Sequence, residues 1–126
     1  MSNIRFLLSL ALLALAFGAG AQSTTTTFEV GGNCNMCKKR IEAAAQGKGV
    51  VKAEWNVETH QMTLEYEPGK TTAMKVQKRI AAAGHDTVFA KAKGNAYASL
   101  PACCRYERLQ FLEKPKPADD GHDHVH

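Results

Sequence analysis

This 126-residue chain lacks the usual parts of a hydrolase or a phosphate-handling enzyme. It has no Ser-His-Asp constellation, no phosphate-cradling glycine loop and no paired-carboxylate signature, so no catalytic activity is expected. Its basic excess is mild, a formal +4, and aromatics make up only 7% of the residues. No basic stripe carries interleaved aromatics, which excludes the usual footprint of nucleic-acid binding. No internal repeat is present. Past Phe17 no segment is apolar enough to cross a membrane.

What is present begins with a leader. Residues 1–21 read as a secretory signal peptide: Arg5 is the positive end, Phe6 to Phe17 the apolar stretch, and Ala19-Gly20-Ala21 the small-residue cleavage site. The expected product is periplasmic or secreted, cut near Ala21, and it comprises one small domain plus a tail. Export implies an oxidising compartment, where the four cysteines could pair in three ways.

Hydropathy patterning gives an alternating order of elements. Gln22 to Thr26 reads as a disordered lead, and Thr27 to Val30 as a strand with Phe28 and Val30 on one face. Lys38 to Gln46 reads as a helix carrying Ile41, Ala44 and Ala45, punctuated by Gly47 and Gly49. Val51, Ala53, Trp55 and Val57 alternate with polar residues, as do Met62, Leu64 and Tyr66, so two half-buried strands flank a turn at 58–61. Thr71 or Thr72 can cap a second helix with a stripe at Ala73, Val76, Ile80 and Ala83, closed by Gly84. Thr87 to Ala90 reads as a last strand. The expected fold is α+β: a βαββαβ sandwich over residues 26–93, with a four-stranded antiparallel sheet and both helices on one face. Its other face is expected to be polar. Residues 94–113 form an extension containing Cys103 and Cys104. Residues 114–126 form a Pro-rich linker and a His-rich, disordered tail.

The chain is organised around Gly31-Gly32-Asn33-Cys34-Asn35-Met36-Cys37-Lys38-Lys39-Arg40. The pattern places Cys34 in a turn and Cys37 near the first turn of the following helix. There, unpaired backbone N–H groups and the helix dipole favour thiolate. The glycines permit a tight loop, expected to leave both sulfurs exposed.

A Gly-x-Cys-x-x-Cys loop between the first strand and first helix of such a domain resembles the heavy-metal-associated domain family, whose fold is ferredoxin-like. The resemblance covers about Thr26 to Lys93 and implies that Cys34 and Cys37 are metal ligands. Gly32-Asn33 stands where many members carry Met-Thr or Met-His. His85 matches a position near the metal in some bacterial copper chaperones, and the resemblance makes it a candidate ligand against the plainer reading of a solvated turn residue. Two soft thiolates suit Cu(I), while Zn(II) would need further ligands and Hg(II) is also thiophilic.

Other candidates carry a plain alternative each. Met36 could offer a thioether but is expected to pack in the core. Cys103 and Cys104 serve equally as metal ligands or disulfide partners. His122, His124 and His126 could bind metal weakly on the tail. The reading is an exported, non-enzymatic module that binds Cu(I) and hands it to a metal-transporting membrane protein or another metal-binding domain by thiolate exchange. It is expected to be mostly monomeric, with a metal- or disulfide-linked dimer as the alternative. The rivals are mercury or zinc scavenging, a transporter accessory subunit, and a thiol–disulfide oxidoreductase. The last usually has an aromatic before its first cysteine and a later cis-proline strand, and neither pattern is present here.

Overall fold

A computed structural model describes residues 22–110. The expected leader, and the linker and histidine tail, lie outside the described residues. The order is β1 (Thr24–Glu29), α1 (Asn35–Ala45), β2 (Val50–Trp55), β3 (Gln61–Tyr66), α2 (Ala73–Ala82) and α3 (Gly94–Ala98), then a single 3-10 turn at Ala102–Cys104. No helix among the described residues is long and apolar enough to cross a membrane.

The sheet is antiparallel in the order β1-β3-β2. Phe28 and Trp55 both sit opposite Met62 in the central strand, and Leu64 sits opposite Thr26 and Ala53. Such cross-strand neighbours on one face are what stabilise a sheet. β1 starts three residues earlier than expected, because Thr24, Thr25 and Thr26 pair with Tyr66, Glu65 and Leu64 instead of forming a loose lead. These β-branched residues favour extended backbone once a partner strand is free.

Ile41 and Ala45 of α1 and Val76 and Ile80 of α2 close the core over Phe28, Trp55, Met62 and Leu64. The helices are joined at one end by Arg79, whose Nε and Nη2 donate to the carbonyls of Ala44 and Ala45 at 3.3 and 2.7 Å. A cation at a helix C-terminus satisfies carbonyls that have no intrahelical partner. Thr72 caps α2, its hydroxyl accepting from the Lys75 amide at 3.1 Å. Gly84 follows the helix with φ +106°, a left-handed conformation that glycine adopts without strain.

Two expectations are corrected. Val51 does not face the core; it is 55% exposed. A register shift between Val50 and Lys52 inserts one residue, and a one-residue slip reverses every side chain before it. The fourth strand is not seen among the described residues: only Thr87 bridges to Val30. The segment turns back on itself instead, with Thr87 N–H donating to the Ala90 carbonyl at 2.8 Å and the Ala90 amide donating to Thr87 Oγ1 at 3.0 Å. The Thr87 hydroxyl also donates to the buried Gln77 side chain at 2.7 Å. These bonds commit the Thr87 and Ala90 backbone to each other, so the pairing with β1 ends at the single Thr87–Val30 bridge.

The chain after Ala92 then crosses back over the start of α1. Leu100, Cys104 and Tyr106 are buried in the same core cluster as Trp55 and Ile41. Residues 99–109 form a strap over the loop between β1 and α1.

Candidate metal centre

The loop lies between two aromatic rings. A side chain at Gly31 would collide with the Tyr106 ring, and one at Gly32 would meet Trp55 and Ile41 at 3.0 and 3.1 Å. Gly31 therefore needs glycine for close approach, not for an unusual turn, and Gly32 leaves a side chain only tight room. Trp55 holds the loop from below, its Nε1 donating to the carbonyls of Val30 and His60 at 3.1 and 3.0 Å. His60, with φ 61°, stacks on the Trp55 ring with centroids 5.5 Å apart. Its place in the hairpin follows from Asn56, whose Oδ1 accepts from the Glu58 and Thr59 amides.

Cys34 is the extended residue that caps the N-terminus of α1, and Cys37 lies in the first turn. Their sulfurs are 3.3 Å apart. The expectation that both are exposed fails. Cys37 is wholly buried and Cys34 only half-buried, because Cys37 shares the inward stripe of Ile41 and Ala45 and the strap covers Cys34. The open end of α1 acts on the Cys34 sulfur through its backbone amides, that of Cys37 foremost. The Cys37 amide, opposed by desolvation and helped by the Cys37 and Cys104 thiols, lowers Cys34 to about 7. Lys38 is drawn away from the sulfurs, its Nζ bonding Glu42 at 2.5 Å and the Trp55 carbonyl at 2.9 Å.

The adjacent cysteines of the strap have separate places. Cys104 is wholly buried, its sulfur 3.9 Å from that of Cys34, and the sulfurs of Cys34, Cys37 and Cys104 all lie within 4.8 Å of one another. Burial, then the two neighbouring thiols, push the Cys104 thiol well above its usual range. Cys103 faces outward. Its thiol donates to Met36 Sδ at 3.7 Å, and its carbonyl accepts from the Cys34 thiol at 3.4 Å. Met36 is 50% exposed, not in the core as expected, because its position on α1 points away from the Cys37–Ile41–Ala45 stripe. All four cysteines are free thiols.

His85 is neither solvated nor part of the sulfur group. It is wholly buried, stacked on Tyr106 with centroids 5.6 Å apart, and its Nδ1 lies 2.8 Å from the Gly31 carbonyl. That contact makes Nδ1 the protonated nitrogen of a neutral ring. Desolvation lowers its pKa, with the Gly31 carbonyl opposing and the Arg40 charge assisting. Nε2 is buried and has no hydrogen-bond partner among the described residues. The imidazole thus supports the loop backbone three residues before Cys34.

Sequence reasoning missed the groups that lock the strap. The Tyr106 hydroxyl accepts from the Asp86 amide at 2.6 Å and donates to the Gly84 carbonyl at 2.8 Å. Arg108 forks onto Asp86, both bonds 2.7 Å, and lies over the Tyr97 ring at 4.8 Å. Desolvation pushes Asp86 up, but Arg108 and the amides of Ala92 and Leu109 outweigh it and hold the carboxyl below its usual range. No local signal in the sequence marks these groups, because their partners at Gly84, Asp86 and Ala92 are distant in the chain.

Comparison with known proteins matches residues 27–86 to the heavy-metal-associated domain. The zinc-transporting ATPase of Synechocystis sp. is 38% identical over 63 residues, which span 48% of this chain and only 9% of that protein. The periplasmic component of a mercuric transport protein from Pseudomonas aeruginosa is 33% identical over 79 residues, covering 61% of this chain and 87% of its own. The copper chaperone CopZ of Staphylococcus aureus is 32% identical over 59 residues, covering 46% of this chain and 87% of its own.

Proposed function

The chain belongs to the heavy-metal-associated domain family, and from that premise we propose that it carries a soft metal ion, Cu(I) foremost, on Cys34 and Cys37. It passes that ion to the thiolates of a metal-transporting membrane protein or of another metal-binding domain. The observation that carries this reading is the pair of free thiols 3.3 Å apart at the start of α1, one of them lowered to about 7. A thiolate at neutral pH is the form that binds metal, and soft sulfur selects Cu(I) over hard cations. Similarity to a copper chaperone and to part of a zinc-transporting ATPase supports the cargo and the kind of partner. The leader at 1–21 and the periplasmic mercury relative support export. The protein then acts as a carrier, with no reaction of its own.

A second reading, Hg(II) as cargo, is supported by the mercuric transport relative, which aligns over 79 residues of this chain against 59 for the copper chaperone. Anaerobic titration of the reduced protein with Cu(I), Zn(II) and Hg(II), each against a competing chelator, decides between them. The reading expects one equivalent of Cu(I) held tightly by the wild type and lost in the Cys34→Ser/Cys37→Ser double variant. Unchanged retention in that variant would remove the site from this loop. Ordinary catalytic turnover in insulin-disulfide reduction would instead make the pair a redox centre.

A further inference from the structure

Resting on that reading of Cys34 and Cys37, we infer that Cys104 is a third metal thiolate, and that the site holds a soft ion in three-coordinate geometry. Cys103, its neighbour in sequence, is not a ligand.

The distances favour three sulfurs over two. An ion about 2.3 Å from each sulfur needs them about 4.6 Å apart in a line, but about 4.0 Å apart in a trigonal plane. Cys34 and Cys37 stand 3.3 Å apart and Cys34 and Cys104 3.9 Å apart. A trigonal ion therefore opens the first pair by about 0.7 Å against about 1.3 Å for a linear one, and the third edge, Cys37 to Cys104, lies within 4.8 Å. A tetrahedral ion such as Zn(II) wants a fourth donor. Among the described residues no histidine, carboxylate or fourth sulfur joins the group.

Cys104 is held at this position before any ion arrives. Its amide donates to the Pro101 carbonyl at 2.8 Å within the 3-10 turn. Two residues on, Tyr106 fills the space over Gly31 and fastens to Gly84 and Asp86. Leu100 is buried on the other side of the turn, against Gly84. The third ligand is thus ordered by folding, and binding does not bear that entropy cost. The same strap leaves Cys103 on the surface, outside the group. The ligand class is a soft ion that accepts three thiolates, Cu(I) or Hg(II).

The test is X-ray absorption of the reduced protein loaded with one equivalent of Cu(I), with a parallel Hg(II) sample, plus competition for Cu(I) against a chromogenic chelator. The wild type and Cys103→Ser should each show three sulfurs and equal affinity. Cys104→Ser and Cys104→Ala should show two sulfurs and lose at least roughly tenfold in affinity, the floor set by residues that merely support a ligand. Two variants with different polarity, each checked by circular dichroism, separate ligand loss from misfolding. Two sulfurs in the wild type with both ions, or Cys104 variants that match it, would overturn the third ligand while leaving the Cys34–Cys37 site standing. Failure of the wild type to hold Cu(I) or Hg(II), or retention in Cys34→Ser/Cys37→Ser, would overturn both. Three sulfurs with only one of the two ions identifies the cargo.

Discussion

Gly31 has no room for a methyl group, because the Tyr106 ring occupies that space. Gly31→Ala should therefore push the ring off the loop and cost about 1–3 kcal/mol, the usual penalty for overpacking, read as a lower urea midpoint. His85 and Asp86, side by side under the loop, respond to acid in two stages. The folded pKa of His85 lies below its ordinary 6.5, so the unfolded chain takes up its proton first. Stability from this residue is complete above pH 6.5 and is lost as pH falls below it. Asp86 is likewise depressed from 3.8, so its contribution is present above that value and lost as pH falls through the folded pKa. Urea midpoints of the metal-free, reduced protein should fall in both windows. His85→Phe should flatten the first and Asp86→Asn the second; a wild-type profile flat from pH 7 to 3 would contradict the assignment.

At the scale of elements, α1 and the strap together bring the sulfurs of Cys34, Cys37 and Cys104 within 4.8 Å of one another. α1 was legible in outline because Ile41, Ala44 and Ala45 fall at helical spacing, though it begins at Asn35, three residues before the expected Lys38, and its buried stripe takes in Cys37. The second helix was legible to within a residue at its cap, Thr71 or Thr72, of which the structure uses Thr72, and to Gly84 at its end. β2 was misread at Val51 because a bulge adds a residue without any mark in the composition. The strap was not legible at all: its order comes from Tyr106, Leu100 and Arg108 finding partners more than fourteen residues away. Tyr106→Phe keeps the ring but leaves the buried Asp86 amide and Gly84 carbonyl without their partner. It should cost about 1–3 kcal/mol and weaken metal retention with the same sign as Cys104→Ser. Full stability together with full retention would show that the strap needs only the ring.

For the whole molecule, metal binding is linked to folding, since the three sulfurs come together only in the folded chain. One equivalent of Cu(I) should raise the melting temperature of the reduced wild type and leave that of Cys34→Ser/Cys37→Ser unchanged. Deleting Pro117 to His126 should alter neither the melting temperature nor Cu(I) retention, because that tail follows a Pro-rich linker and carries almost no apolar residue. A large loss of stability on truncation would count against it. The sequence by itself determined the two helices, the three paired strands in outline, and the placement of Cys34 and Cys37 at the start of α1. These rest on period, caps and glycines within a few residues of each other. Only the tertiary structure decided that Thr87 to Ala90 turns back instead of adding a strand, that Cys37 is buried, and that Cys104 faces inward while Cys103 faces out. Those outcomes depend on which distant groups satisfy a backbone N–H or fill the space above a glycine. Two adjacent cysteines are chemically identical until a strap fastened at Tyr106 turns one of them toward the loop.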